Sequence, residues 1–266
     1  MPALRFAGGS CESREDALAV EEPLELRLHT PGGPLALAVL MRTPGHDREL
    51  LTGWLVSEGL LPAERALDPD PENANVWHLH TPEHARLALG ARLGVSSSAC
   101  GVCGSGSVER LAVRAQLPEW TGGLLDPAVV AALPGHLRAA QPGFAATGGL
   151  HAAGLFTPQG ELLAAFEDVG RHNATDKVVG WAALRGGLPL SGQVLAVSSR
   201  AGFEIVQKAV TAGAAVVVAV GAATSLAVDT AVTFGVTLCA FTREGRFTVY
   251  ASPERLASAP SRSAPG

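Results

Sequence analysis

The chain has 266 residues, a formal net charge of -5 and a hydrophobic share of 47%. This length is enough to bury a sizeable core, as one large domain or two modest ones. The acidic balance argues against a general nucleic-acid binder, and no run of roughly 18 apolar residues predicts a membrane span.

The first third of the sequence predicts a small α+β unit. Polar and apolar residues alternate over Glu21–Leu28 and again over Leu35–Met41, which indicates two half-buried strands joined by a Pro/Gly turn. Apolar residues at helical spacing predict a helix over Asp47–Leu60. A further strand is expected at Val76–His80 and a short helix at Ala85–Leu93.

Strands and helices alternate from about residue 140 onward. Two strands are predicted at His151–Phe156 and Leu162–Glu167 around a Pro-Gln-Gly turn. The elements that follow are, in order, helix Arg171–Leu184, strand Gln193–Ser198, helix Phe203–Thr211, strand Ala214–Val220, helix Ser225–Phe234 and strand Val236–Phe241. Such alternation predicts an α/β fold built of parallel βαβ units, with helices layered on a sheet.

These patterns divide the chain into three parts. We place a small α+β domain at residues 1–118 and an α/β cofactor-binding domain at residues 119–257. The tail, residues 258–266, is rich in Ser, Ala and Pro and is expected to be disordered.

Cys100-Gly101-Val102-Cys103 is the segment most suggestive of chemistry. Its spacing lets both sulfurs reach one point, which suits half of a zinc site, a redox disulfide or a sulfur relay. Only small residues surround the pair, so we expect an exposed and mobile loop. Glycine follows each cysteine, which argues against the helix that opens at a thioredoxin-type motif. The loop alone leaves sulfur relay and redox or metal chemistry open.

The other two cysteines, Cys11 and Cys239, lie in unrelated contexts, and Cys239 in an apolar strand is expected to be structural. Four cysteines in a chain of this length make no disulfide framework, which favours a reducing compartment. The acidic residues that soon follow Met1 show no secretory signal. We therefore expect a cytoplasmic protein without a membrane partner.

Two predicted strand ends lead into helices through turns of small residues, Ser198–Glu204 and Gly221–Ser225. Free N–H groups at a helix start, together with Arg200, make an anion site, and ligands of open α/β sheets bind outside the carboxyl ends of the strands. The alternative is that Thr224 or Ser225 only caps its helix. These two interpretations stay open.

The segment Glu167–Lys177 packs acids, bases, an imidazole and an amide into one strand-to-helix junction. His172 and Asp176 are four residues apart and are expected to share one helix face. Such a density of polar groups is costly to bury without pairing, which favours a functional site over a surface capping network. The nearby turn Thr147–His151 contains two glycines and ends in His151. A lone histidine of this kind more often has a structural role than a catalytic one.

Together these segments resemble the formate dehydrogenase accessory sulfurtransferase family, FdhD. The resemblance runs in order over about residues 20 to 256, and any one motif alone would be weak. The matching pieces are Glu21-Glu22-Pro23, Ser57-Glu58-Gly59, Cys100-Gly101-Val102-Cys103-Gly104, Thr147-Gly148-Gly149 with His151, Glu167 to His172 with Asp176-Lys177, Ser198-Ser199-Arg200 with Phe203-Glu204 and Gln207-Lys208, Ala222-Ala223-Thr224, and Phe241 to Arg246.

The resemblance implies a cytidine-deaminase-like layered core, a homodimer and a sulfur carrier. Such a carrier takes persulfide sulfur from a cysteine desulfurase onto the first cysteine, here Cys100, with Cys103 as its partner thiol. It hands the sulfur to the molybdenum cofactor, in its bis-molybdopterin guanine dinucleotide form, before the cofactor enters formate dehydrogenase. The expected cofactor-binding residues are Phe241, Thr242, Arg243, Glu244, Gly245 and Arg246, with Ser199, Arg200, Thr224, Arg171 and His172 from the motifs above.

Two departures from the family pattern and two rival functions remain. Gly202 and Ser105 stand where the family often has, respectively, a serine and a larger or charged residue.

One rival is a pure binding chaperone that shields the cofactor without handling sulfur. The other is a zinc hydrolase of deaminase type, which the sequence disfavours because no histidine stands two residues before a glutamate.

Overall fold

A computed structural model describes residues 1–92 and 117–257 of the chain. It contains an N-terminal hairpin, β1 (Pro2–Ala7) and β2 (Ser10–Glu15), a four-stranded sheet and a six-stranded sheet. Within these residues no helix is long and apolar enough to cross a membrane.

The four-stranded sheet carries the N-terminal unit. Its strands lie in the order β4-β3-β6-β5, with β3 antiparallel to β4 and parallel to β6. Leucines of β3 alternate inward and pack against the first helix in a core of their own. The elements are β3 (Glu22–Thr30), β4 (Gly33–Arg42), α1 (Asp47–Ser57), β5 (Ala66–Pro69), β6 (Val76–His80) and α2 (His84–Arg92).

The six-stranded sheet organises the rest of the described chain. Its order is β12-β11-β10-β9-β7-β8, and only β9, β10 and β11 run parallel. The expectation of parallel βαβ units therefore holds for the centre of the sheet, while its flanks are antiparallel. Its strands are β7 (His151–Phe156), β8 (Leu162–Asp168), β9 (Val194–Val197), β10 (Val216–Ala219), β11 (Thr237–Arg243) and β12 (Arg246–Ala251).

Helices cover both faces of this sheet, which makes three layers. One face packs against α5 (Arg171–Leu184), α6 (Phe203–Thr211) and α7 (Ser225–Thr233). The other packs against α3 (Pro127–Ala139), which leads into the short helix α4 (Pro142–Thr147). The α/β class is confirmed, and the central strands are fully buried, as parallel strands between two helical layers must be.

The elements predicted from sequence are present, and several others were missed. The bounds of β6, β7, α5 and α6 match the predicted ranges residue for residue. The hairpin β1–β2, strands β5 and β12, and helices α3 and α4 were not predicted. Strand β11 also continues to Arg243, two residues beyond the predicted end.

Helix α1 joins the two units by crossing α5 at two glycines. A Cβ atom on Gly53 would overlap the backbone carbonyl of Asp176, and one on Gly180 would overlap the carbonyl of Glu49. The two backbones can therefore approach closely only because neither residue has a side chain. This crossing fixes the N-terminal unit against the six-stranded sheet.

Replacing Gly180 with alanine should lower the free energy of unfolding by about 1–3 kcal/mol, because the helices must move apart. Gly135, in α3, is the matched control since a Cβ there meets nothing within 4 Å; its alanine variant should be neutral or slightly stabilised. Denaturant titration of both variants measures the difference. Equal stability of the two variants would contradict the close crossing.

Candidate functional site

The predicted motifs that lie between Thr147 and Arg246 meet at one edge of the six-stranded sheet, which we call the carboxyl edge because β9, β10 and β11 end there. The antiparallel β7 begins at this edge, since Ala153 pairs with Val197. Strand β8 ends there as well, because His151 pairs with Asp168. The three-layer topology therefore brings together segments that lie up to about ninety residues apart in sequence.

The two strand-end turns form one continuous wall at the carboxyl edge. Ala201 N–H donates to the Ala222 carbonyl at 2.9 Å, and Thr224 N–H donates to the Ala201 carbonyl at 3.1 Å. Phe241 N–H joins them by donating to the Gly221 carbonyl at 2.9 Å. The two turns therefore lie side by side at this edge, as the anion-site interpretation requires.

The helix caps at the two turns differ. Thr224 Oγ1 accepts from Ala227 N at 3.4 Å and so caps α7, which is the structural alternative for this side chain. Gly202 precedes α6 without a side-chain cap. Ser199 is buried, and its hydroxyl donates to the Arg200 carbonyl at 3.0 Å.

Among the described residues, four arginines at the carboxyl edge make no ion pair with a carboxylate, although the charge of Arg171 helps to lower the pKa of the nearby Glu204. Within residues 1–92 and 117–257, no ion pair or hydrogen bond engages the guanidinium groups of Arg171, Arg200, Arg243 and Arg246. In the N-terminal half, by contrast, carboxylates bind Arg14, Arg27, Arg42 and Arg86. A chain with net charge -5 thus concentrates unpaired positive charge at one edge, which attracts an anionic ligand.

Arg243 and Arg246 lie directly opposite each other where β11 turns into β12. Like charges at paired positions destabilise a hairpin, so an anion between them would relieve the repulsion. They line a groove of about 310 Å³ with Phe241, Phe247 and Thr248.

The other residues of the predicted stretch Phe241–Arg246 differ in how accessible they are to a ligand. Phe241 has a left-handed backbone, with φ of 50°, and its side chain is 44% exposed. Glu244 and Gly245 form the exposed turn. Thr242 is fully buried, and its hydroxyl has no partner among the described residues. In this conformation neither the side chain nor the backbone of Thr242 is exposed to a ligand.

Helices α5 and α6 meet through two parallel acid–base contacts. His172 Nε2 lies 2.6 Å from Glu204 Oε2, and four residues further along each helix Asp176 lies 2.7 Å from Lys208 Nζ. The expectation that His172 and Asp176 share one helix face is therefore confirmed. The contact with His172 holds the pKa of Glu204 below its usual value.

His151 lies near the first of these contacts. Burial lowers its pKa, and the nearby Arg171 and His172 add to this effect. The imidazole of His151 is therefore biased towards its neutral form at the carboxyl edge.

Asp168 and Lys177, near the two ends of the Glu167–Lys177 segment, have a structural role. Asp168 and Lys177 form a fully buried ion pair with a Nζ–Oδ2 distance of 2.8 Å. Lys177 also donates to the Thr43 carbonyl, and Thr43 N–H donates to Asp168. This network ties the end of β4 to the β8–α5 junction and presents Arg171 and His172 at its rim.

A cavity of about 610 Å³ opens at the carboxyl edge on the α3 side of the sheet. Ser198, Val220 and His151 contribute from the strand ends, and Gly148 and Gly149 form its rim. Sequence reasoning found the glycine turn and His151 but not the cavity itself, because its other walls come from α3 and α4.

The cysteines divide between described and undescribed parts of the chain. Cys100 and Cys103 lie outside the described residues, so their predicted role stays a prediction. Cys239 is buried in β11, and burial raises the pKa of its thiol to about 12, which confirms a structural thiol. Cys11 is exposed on the N-terminal hairpin.

Comparison with known proteins identifies the family. The pattern of the FdhD/NarQ family matches residues 19–257. The chain belongs to this family. Proteins named sulfur carrier protein FdhD are 44% identical in Streptomyces avermitilis, over 96% of this chain and 94% of that protein, and 47% identical in Corynebacterium efficiens, over 90% of each.

A solved structure supports the fold of this FdhD/NarQ family member. The crystal structure of a formate dehydrogenase accessory protein from Desulfotalea psychrophila superposes with a TM-score of 0.75. The alignment covers 97% of this chain and 98% of that one at 21% identity. At this identity the likeness concerns the arrangement of helices and strands alone.

Proposed function

We propose that this protein is a sulfur carrier that loads sulfur on Cys100 and delivers it to a molybdenum cofactor held at the carboxyl edge. Relatives named sulfur carrier protein FdhD support the first part. The four unpaired arginines at the carboxyl edge support the second part, and they are the observation that carries it. The proposed cargo is the bis-molybdopterin guanine dinucleotide, whose two pyrophosphates need several cationic partners.

Loading is a thiol exchange that conserves sulfur and electrons. The Cys100 thiolate attacks the outer sulfur of a persulfide on a cysteine desulfurase. The cysteine of the desulfurase is the leaving group and departs as a thiolate. Cys100 then bears the persulfide. Only the thiolate is nucleophilic, so an accessible sulfur is required.

The chain's own residues suit the cargo at two places. Arg243 and Arg246 are positioned to bind one phosphate group between them, with charge-assisted hydrogen bonds. Arg171, Arg200 and the open start of α6 offer further donors along the wall of the two turns. The cavity beside His151 is large enough for a flat bicyclic ring.

The remaining assignments belong to the same proposal. We infer a cytidine-deaminase-like arrangement of the three-layer core, a cytoplasmic homodimer, and formate dehydrogenase as the enzyme that receives the sulfurated cofactor. Residues 1–118 would form the smaller domain that ends in the cysteine loop.

The carboxyl edge also favours a second candidate, a chaperone that binds the cofactor without handling sulfur, because the unpaired arginines lie outside the cysteine loop. Incubation of the reduced protein with a desulfurase and cysteine distinguishes the two. The carrier gains the mass of one sulfur atom, which thiol reductant removes. A pure chaperone gains nothing.

The anion site predicts a loss of nucleotide binding when its arginines are removed. Replacing Arg243 and Arg246 with alanine should weaken the binding of guanosine diphosphate by roughly a hundredfold. Each hydrogen bond between charged groups contributes about 1.5–3 kcal/mol to binding. Calorimetric titration measures the constants. The control R5A/R14A removes the same charge from the N-terminal hairpin and should bind normally; equal weakening in both variants would contradict a local site.

A further inference from the structure

Three histidines gather on the outer face of the four-stranded sheet, opposite the leucine core of the N-terminal unit. Leu28 and Leu79 belong to that core, and successive side chains of a strand point to opposite faces. His29, which follows Leu28, and His78 and His80, which flank Leu79, therefore lie on the other face. Strands β3 and β6 are parallel neighbours, and the rings of His29 and His80 stack with their centres 4.0 Å apart. The fold thus places three imidazoles side by side, outside the carboxyl edge.

A chain of hydrogen bonds links two of these histidines to Asp70. His78 Nε2 lies 2.9 Å from Asp70 Oδ2, and His78 Nδ1 lies 2.8 Å from His29 Nε2. The Asp70 carboxylate also accepts from the N–H groups of Glu72 and Asn73, both at 2.9 Å, which fixes it in its turn. An ionised carboxylate can only accept, so in its neutral form His78 carries its proton on Nε2. The lone pair of His78 Nδ1 is therefore directed at His29.

This chain of hydrogen bonds matches the arrangement found around metal-bound histidines. A histidine that binds a metal through one ring nitrogen usually donates its other N–H to a carboxylate, which orients the ring and makes it a stronger ligand. Asp70 and His78 already have this relation. A metal ion about 2.1 Å from each of two nitrogens separates them by about 3.0–3.4 Å. The 2.8 Å between His78 Nδ1 and His29 Nε2 needs to open only slightly, with the proton of His29 held on its Nδ1.

The surroundings of the histidine pair allow a cation to enter. His29 and His78 are half-buried, while His80 is exposed beside them. Arg27 pairs with His78 across the two strands, and its guanidinium donates two hydrogen bonds to Glu25 at 3.0 Å and 2.9 Å. The positive charge of Arg27 is thus compensated, so it repels an incoming dication only weakly.

We propose that His29 Nε2 and His78 Nδ1 bind one borderline transition-metal dication, Zn²⁺ or Ni²⁺, with Asp70 as the positioning residue. Imidazole nitrogen is a ligand that suits these metals. As placed, no group of three or more His, Cys, Asp or Glu side chains within residues 1–92 and 117–257 could hold a metal ion. The site therefore has two protein ligands, and water completes the coordination. This site goes beyond the proposed sulfur transfer, and neither claim depends on the other.

Calorimetric titration of the full-length protein with Zn²⁺ and with Ni²⁺ tests the assignment. Every protein in the series carries C100A/C103A, because a thiol pair would also bind these metals. His29→Ala and His78→Ala should each weaken metal binding by at least about a hundredfold, since loss of a direct ligand costs more than loss of an outer partner. His136→Ala removes a histidine from α3 and is the matched control; it should bind metal as its C100A/C103A parent does.

Asp70→Asn tests the positioning role. The affinity for metal should fall about tenfold, because an uncharged amide orients His78 less firmly than a carboxylate does. Nitrogen NMR of the imidazoles supplies a readout that a change in stability alone would not move. Without metal, His78 should be the Nε2–H tautomer in the parent and a mixture of both tautomers in Asp70→Asn, since an amide can donate as well as accept.

Each outcome supports or overturns the site. Weaker binding in His29→Ala and His78→Ala, with binding by His136→Ala unchanged, supports it. A parent that binds neither metal overturns it, and so do equal affinities in the parent and both histidine variants or an equal loss in the His136→Ala control. A parent in which His78 is the Nδ1–H tautomer would also overturn it, and that measurement does not depend on whether any variant folds.

Discussion

Replacing Lys177 with methionine should lower the free energy of unfolding by about 3–5 kcal/mol, the loss expected when a buried carboxylate keeps its charge and loses its cation. Asp168 is fully buried and lies 2.8 Å from Lys177. Its three other partners are N–H donors of Thr43, Gly170 and Asn173, which cannot neutralise it. The position of Thr43 in this network means that the N-terminal sheet should loosen together with the β8–α5 junction.

Denaturant unfolding monitored by circular dichroism measures this effect. The double variant D168N/K177M should recover part of the loss, because no charge is then buried. The surface pair of Arg86 and Glu83 supplies the matched control, since R86M should cost at most about 1 kcal/mol. A loss in K177M no greater than in R86M would show that the buried pair does not support the fold.

Replacing Cys100 with alanine should abolish sulfur loading altogether, while replacing Cys103 should permit loading and slow delivery. Loading needs one nucleophile, and the proposal assigns that role to Cys100 alone, so Cys103 and the exposed Cys11 that remain in the variant should not take up the donor's sulfur. In the proposed delivery step, the Cys103 thiolate attacks the inner sulfur of the Cys100 persulfide. A disulfide between the cysteines forms, and the outer sulfur leaves as sulfide; the two thiols are oxidised as the persulfide sulfur is reduced.

Intact-mass measurement after incubation with desulfurase and cysteine reads out both variants. C100A should show no added sulfur, and C103A should show the wild-type gain. The buried thiol of Cys239 makes C239A the control, and it should load normally. A C100A protein that still gains reducible sulfur would disprove the assigned acceptor. A C103A protein that delivers at the wild-type rate would remove the disulfide step.

The sequence predicted a helix or strand correctly where a single local pattern determines that element. Helix α5 was predicted exactly because its polar groups and glycine start mark the junction after β8, although nearly all of its faces are buried. The hairpin β1–β2 was missed because its strands bury almost nothing, so no apolar alternation marks them. Helix α3 contains Pro134, which obscured the helical spacing of Val130, Leu133 and Leu137.

The carboxyl edge was predictable in part. Strand ends rich in Gly, Ser and Arg indicated the turns at Arg200 and Thr224, and the parallel centre of the sheet makes them neighbours. The sequence could not separate the buried pair of Asp168 and Lys177 from the half-buried Arg171 and His172, since burial depends on α1 and β4. The cavity could not be predicted from the sequence either, because its lining residues Arg138, His151 and Val220 come together only through the packing of the three layers.

The most direct test of the central claim follows labelled sulfur from Cys100 to a cofactor bound at the carboxyl edge. The protein is loaded with radioactive sulfur by a desulfurase, freed of donor and mixed with the molybdenum cofactor. We expect label to leave the protein only when the cofactor is present, and to leave far more slowly from R243A/R246A than from the equally loaded R5A/R14A control. Release at one rate from both proteins, or retention of the label by wild type, would contradict the account.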